Sequence, residues 1–317
     1  MNRRVAVSSV LVGLLLSVVL AMSGCGGGGN RVASYTASER CAYNSLGQIA
    51  FSAWGGIPGI RYVYTMSERG GSVANLTPSH NDPRRADEGG YHPAFHPNGT
   101  LVAFTAKRPV VGEVASKDIY VVPTSGGESV SFLRLTTDPA TDDQANWSPD
   151  GSLIVFMSDR NGDPDLWLMN SADGTNQHAV RAHARTAEQW PCFNPQNANQ
   201  VAFQAGPPNG RTTNLFVLDL TTSAVTQITD SPYRNECPSW SPDGTRILFH
   251  SNRSGDFDIW SMAPDGTGLT QLTQDSHSDG YPVWRMGNGS RFVFTRDRQV
   301  WTALPDGTDL RQLTRTP

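Results

Sequence analysis

The chain has 317 residues, with 25 Lys and Arg against 29 Asp and Glu, a formal charge of −4 and 38% hydrophobic residues. That is enough apolar material for one sizeable core, and the mildly acidic balance without basic runs excludes a nucleic-acid binder of the usual kind. Thirty-one Gly and 21 Pro demand many turns, as an exported protein built of short strands requires.

The first 25 residues differ from the rest. Arg3 and Arg4 form a positive n-region, Val5 to Ala21 an apolar h-region, and Met22, Ser23 and Gly24 lead into Cys25. This reads as a secretory signal over residues 1–24, removed from the mature protein; the alternative is an uncleaved anchor, because the apolar run approaches membrane-spanning length. The small residues before the cysteine resemble a bacterial lipobox, and that resemblance implies a lipidated Cys25. Gly26 to Gly29 open a flexible tether over residues 25–37. By analogy with bacterial lipoproteins, the absence of Asp after Cys25 implies sorting to the outer membrane of the periplasm, with the membrane touched only through the lipid.

Residues 38–317 are organised by one recurring phrase. It reads WSPDG at Trp147 and Trp240 and FHPNG at Phe95, with looser copies at Phe193 and Trp284 and a degenerate start at Cys41. Each copy leads into an apolar stretch ending in Phe, and the closing residues Phe51, Phe104, Phe156, Phe203, Phe249 and Phe294 lie 53, 52, 47, 46 and 45 positions apart. Such a period means a repeat architecture. Within the repeat from Asn235 to Thr273, Pro242 and Asp243-Gly244 specify a hairpin turn. RILFHS, DIWSMA and LTQLT then supply three further strands, with a second Asp-Gly turn at Gly266. Four short strands cannot bury both faces alone, so the units stack around an axis. The fold expected is an all-β, six-bladed propeller of four-stranded antiparallel blades with almost no helix. The segment RVASYT (residues 31–36) is β-patterned and could add an outer strand to the last blade.

The phrase WSPDG…I.F.S.R.G..DIW.M..DGT…LT closely resembles the repeat of the TolB-type six-bladed propeller, and related repeats occur in prolyl oligopeptidase-like and tricorn-like proteases. The resemblance covers roughly Ser38 to Pro317. It implies a periplasmic propeller that binds protein partners and has no catalytic residues or cofactor of its own. The expectation is therefore a propeller without the N-terminal α/β domain of TolB, for which the tether leaves no room, and without an α/β-hydrolase domain after blade six.

A carboxylate stands at the start of each innermost strand: Glu39, Glu88, Asp143, Glu188, Glu236 and Asp279. Around one channel mouth they would focus a negative potential on cations or basic peptide segments; equally, each could satisfy backbone groups of its neighbour. Trp190 beside Glu188 is a candidate binding aromatic. Asp159, Asn161, Asp163 and Asp165 offer oxygens at alternate positions, as calcium loops do, but Gly162 sits where such loops have no glycine and no bidentate Glu follows. Cys41, Cys192 and Cys237 fall on inner strands; Cys192 and Cys237, in neighbouring blades, are a candidate disulfide, with buried free thiols the alternative. His92, His96, His178 and His183 keep open a metal-dependent lyase or hydrolase, since related repeats occur in oligogalacturonate lyases. A carbohydrate- or peptidoglycan-binding module lies between. Loops at Lys107 to Lys117 and Gly206 to Thr213 project from the repeat and could build a binding surface. The leading expectation is a monomeric, non-catalytic propeller lipoprotein that docks an envelope protein or peptide at the channel mouth.

Overall fold

The computed structural model describes residues 33–34, 40–54, 61–71, 73–78, 88–107, 116–127, 131–181, 183, 185–208 and 210–315. Cys25, Glu39, His80 and the loop at 108–115 lie outside them. All regular structure among the described residues is β, arranged as six four-stranded antiparallel sheets in sequence order. The innermost strands are Ala42–Tyr43, Glu88–Phe95, Asp142–Trp147, Ala187–Asn194, Asn235–Trp240 and Asp279–Trp284. They open blades one to six. The degenerate fourth strand of blade three forms at His178–Arg181.

The repeated phrase maps onto repeated contacts. In the Ser-Pro-Asp-Gly turn of blade five, Ser241 Oγ donates to Asp243 Oδ1 at 2.6 Å and accepts the amide hydrogen of Arg246 at 2.9 Å. Gly244 supplies the left-handed φ of 70°. Blade three repeats this with Ser148, Asp150, Leu153 and Gly151. The anchor indoles then tie blade to blade: Trp147 Nε1 donates to Ala94 O at 3.1 Å and Trp240 Nε1 to Cys192 O at 3.2 Å.

The Leu-Thr ending has an equally specific cause. Its threonine hydroxyl oxygen accepts the buried amide of the third strand, from Val63 to Thr77, Ile119 to Thr136, Leu215 to Thr229, Ile259 to Thr273 and Val300 to Thr314, at 2.8–3.0 Å. The Asp-Gly turn before the fourth strand rests on the preceding blade's fourth strand. A Cβ placed on Gly174, Gly266 or Gly307 would lie 2.1, 2.6 or 2.1 Å from the carbonyl oxygen of Leu135, Ile228 or Leu272. The DGT and Leu-Thr pieces of the phrase are therefore the two halves of one inter-blade joint.

Apolar side chains fill the layers between blades; Phe51, Phe104, Phe156, Phe203, Phe249 and Phe294 are fully buried. These are the closing residues of the sequence period, so burial of one phenylalanine per blade is the physical basis of the repeat. Ala33–Ser34 pairs in parallel with Thr314–Arg315, Ala33 opposite Thr314 and Ser34 opposite Arg315. The expected strand thus forms, but in a separate two-stranded sheet beside blade six rather than as a fifth strand of its sheet, and it brings the two ends of the described chain together.

Candidate functional site

The inner strands share an irregularity that shapes the channel. Three residues before each anchor the strand bulges, and the residue there takes a left-handed φ: 50° at His92, 59° at Gln144, 55° at Trp190, 54° at Cys237 and 53° at Tyr281. Non-glycine residues hold this region only when their surroundings fix it. Here preceding blades supply amide acceptors: Trp190 N donates to Gln144 Oε1 at 2.7 Å, Cys237 N to Gln204 Oε1 at 2.9 Å and Tyr281 N to His250 Nδ1 at 3.1 Å. Arg40 occupies the matching position in blade one.

These side chains converge. The Trp190 ring meets His92 edge-on with centroids 4.7 Å apart, lies 5.4 Å from Tyr281 and carries the Arg40 guanidinium 5.8 Å from its centroid. Trp190 is 8% exposed. It belongs to the inner strand of blade four, in phase with the bulge, and not to a loop outside the repeat. Blades one, two and six thus place side chains against the indole that blade four supplies.

On the side where the inner strands begin, two cavities of about 440 and 380 Å³ adjoin, sharing Arg234, Glu236 and Tyr281. The first also takes in Trp190, Gln204 and Pro207; the second takes in His250, Asp279 and Asp297. They form a polar groove over the inner ends of blades three to six. On the other side an apolar chamber of about 160 Å³ draws wall residues from all six blades, Ala42, Pro93, Trp147, Cys192, Trp240 and Val283 among them.

The acidic residues divide between two registers. Asp143 and Glu236 stand four positions before their anchors, Glu188 and Asp279 five, and successive strand positions face opposite ways. The Glu188–Asp279 set also contains Asp142 and Asn235, and each member meets an arginine. Arg160 Nη2 lies 2.7 Å from Asp142, Arg181 Nε 2.8 Å from Glu188, Arg253 Nη2 2.5 Å from Asn235 and Arg296 Nη2 2.6 Å from Asp279. Three of these arginines stack on third-strand indoles, Arg160 on Trp167 at 4.4 Å, Arg253 on Trp260 at 5.0 Å and Arg296 on Trp301 at 5.1 Å. The other set pairs with histidine. His92 Nδ1 lies 2.6 Å and Lys117 Nζ 3.1 Å from Asp143; His250 Nε2 lies 3.2 Å and Arg234 Nε 2.8 Å from Glu236. Glu88 begins its strand opposite Lys107.

Their electrostatics follow from these partners. Burial disfavours ionisation of Asp143, but the charges of His92 and Lys117 outweigh it and hold the carboxyl below the usual range. Glu236 is lowered in the same way: burial opposes, His250 and Arg234 prevail. Burial wins at Glu188, whose carboxyl is pushed up to about 7 against the pull of Arg181, with Oε2 left without a hydrogen bond. Asp279 is also raised by burial, despite its two-pronged contact with Arg296.

Cys192 and Cys237 are not bridged; both are free and buried, as is Cys41. The reason is register: Cys237 sits at the bulge, three residues before Trp240, while Cys192 directly precedes Phe193, so the two lie at different depths. The four oxygen-bearing residues of blade three serve local geometry. Asp159 Oδ1 accepts the Thr141 amide at 2.7 Å, Asp163 Oδ2 the Arg185 amide at 2.9 Å, and Asn161 Nδ2 donates to Asp165 Oδ2 at 3.0 Å. No group of three or more His, Cys, Asp or Glu able to hold a metal occurs among the described residues. Among the described histidines, His92 meets the candidate Asp143 and His250 meets the candidate Glu236, while His178 and His183 stay exposed.

Sequence reasoning missed the bulge residues as a class. Counting back three positions from every anchor would have found Arg40, His92, Gln144, Trp190, Cys237 and Tyr281 together.

Residues 48–309 match the family model of the tricorn protease N-terminal beta propeller domain. The chain belongs to that family. A 138-residue stretch is 30% identical to the Tol-Pal system protein TolB of Anaeromyxobacter dehalogenans, covering 44% of this chain and 20% of the relative. The chain spans less than half the length of the curated relatives it matches. Among solved structures, TolB from Acinetobacter baumannii superposes with a TM-score of 0.63 at 19% identity, over 78% of this chain and 57% of that one. The tricorn protease superposes with a TM-score of 0.66 at 15% identity, over 90% and 27%. The chain is thus a TolB-like propeller in fold.

Proposed function

We propose that this protein is a non-catalytic, TolB-like binding module that docks a protein or peptide of the cell envelope on the polar groove over blades three to six. The observation that carries the reading is the groove itself: two adjoining cavities with shared walls at Arg234, Glu236 and Tyr281, backed by the Trp190 stack. A concave surface with an aromatic floor and mixed charges at its rim suits an extended peptide, because aromatic anchors supply contact area while charged groups set register. The groove also holds Asp163, Asp279 and Asp297 against Arg234 and Arg298, a balance that favours a peptide with basic residues.

On this reading Cys25 is acylated after signal cleavage, and the tether holds the propeller in the periplasm, at the outer membrane, as a monomer. The relation to the named Tol-Pal protein supports an envelope location. The test is a pull-down from native envelope with the full chain as bait, beside a bait carrying Glu236→Gln and Asp297→Ala. A partner retained by the first and lost by the second is expected; equal retention would reject the groove. For the anchor, Cys25→Ala must abolish labelling of the chain by a radioactive fatty acid.

A further inference from the structure

The apolar chamber on the far side of Trp190 contains a charge that its walls do not answer. Arg40 is 7% exposed and lines this chamber. Its guanidinium lies over the face of Trp190, and among the described residues Arg40 makes no ion pair and no side-chain hydrogen bond. The other arginine buried to this degree among the described residues, Arg296 at 6% exposure, is paired with Asp279 and Asp275. A buried guanidinium without an anion is costly, and the usual resolution is a partner placed on its five donors.

The chamber fits such a partner. Its walls at Trp147, Phe193, Trp240 and Val283 are hydrophobic and come from different blades. Two wall groups have hydrogens to give: Asn146, whose Oδ1 is used by the Phe193 amide, leaving its Nδ2 hydrogens, and Ser239, whose Oγ accepts the Trp284 amide, leaving its hydroxyl hydrogen. No carboxylate lines the chamber among the described residues. A largely apolar space of about 160 Å³ with an arginine and neutral donors in its lining selects an anion carried on a small hydrophobic body.

We propose that this chamber is a second binding site, which takes a carboxylate on a compact apolar group and seats it with the carboxylate on Arg40. Such chemistry has two sources, a free short-chain monocarboxylate and the C-terminus of a peptide ending in an apolar residue. The carboxylate accepts from the guanidinium fork, and the hydrophobic body fills the space between Trp147, Phe193 and Trp240. The site is separate from the polar groove, which lies across the indole from it.

Calorimetric titration of the full chain tests this with hexanoate and with a hexapeptide ending in leucine, each against its C-terminal amide. The acid form of at least one probe is expected to bind about tenfold or more tightly than its amide, since only the acid pairs with the cation. Hexanoate alone binding points to a free metabolite; the peptide alone points to a chain terminus. Arg40→Met removes the acid preference, and Arg40→Lys retains it in weakened form, because lysine keeps the charge and loses the fork. Equal affinity for acid and amide, unchanged binding by Arg40→Met, or no binding of any probe overturns the proposal. The acid-amide comparison uses the native chain, so it decides even where Arg40→Met does not fold.

Discussion

The side-chain Oε1 of Gln144, in blade three, accepts the amide hydrogen of Trp190, in blade four, at 2.7 Å. A residue held at φ 59° thereby stabilises the next blade's residue held at φ 55°. Gln144→Leu leaves that amide unpaired in a buried position, at a cost of about 1–3 kcal/mol. Gln144→Glu keeps the acceptor. Urea unfolding of the two variants separates the explanations: equal losses would mean that the hydrogen bond is not what holds the bulge.

The inter-blade joint predicts a difference between two glycines. Gly307 (φ 84°) and Gly210 (φ 61°) are both left-handed, but a Cβ on Gly307 would lie 2.1 Å from Leu272 O, while a Cβ on Gly210 meets nothing within 4 Å. Gly210→Ala carries the backbone strain alone, about 1 kcal/mol. Gly307→Ala adds a clash that must part blades five and six, so its melting temperature falls much further. Similar melting temperatures for the two would remove the joint from the account.

Glu188 predicts a pH dependence. Because burial raises its carboxyl from 4.5 to about 7, the folded chain keeps a proton that the unfolded chain releases. Stability from this group therefore falls as pH rises from 4.5 toward 7 and is level above, with a slope of at most about 1.4 kcal/mol per pH unit. Glu188→Gln has no proton to lose and flattens the profile relative to the native chain in that window. The opposite sign belongs to Asp143, whose lowered carboxyl stabilises the fold at neutral pH and is lost only in acid.

The pairing of Ala33–Ser34 with Thr314–Arg315 joins the two ends of the ring. Deleting residues 26–36 lowers the melting temperature modestly, because the pairing lost among the described residues is two residue pairs. A deletion variant that melts with the native chain would show that blade six closes the ring unaided.

The architecture was legible in the sequence because its determinants are local and repeated. A Pro-Asp-Gly turn, one buried phenylalanine per unit and a Leu-Thr ending each have a cause within, or one blade away from, their own repeat. The site was less legible. Acidic residues that look equivalent in sequence fall in two registers, since a one-residue slip along a strand turns a side chain to the other face. Glu188 and Asp279 consequently meet arginines, while Asp143 and Glu236 meet histidines. Arg40 is marked in the sequence only by its place three residues before Tyr43. Its significance comes from the absence of an anion around it, and which residues surround a position on the channel wall is decided by closure of the ring, not by neighbours in sequence.

The position of Trp190 has a mechanical corollary. Its ring is at once the floor of the groove and the partner of Arg40 at the inner end of the apolar chamber. A tilt of that ring toward either face widens one compartment at the expense of the other. Cargo seated on one side is therefore registered sterically on the opposite face, through a single side chain and without movement of any blade.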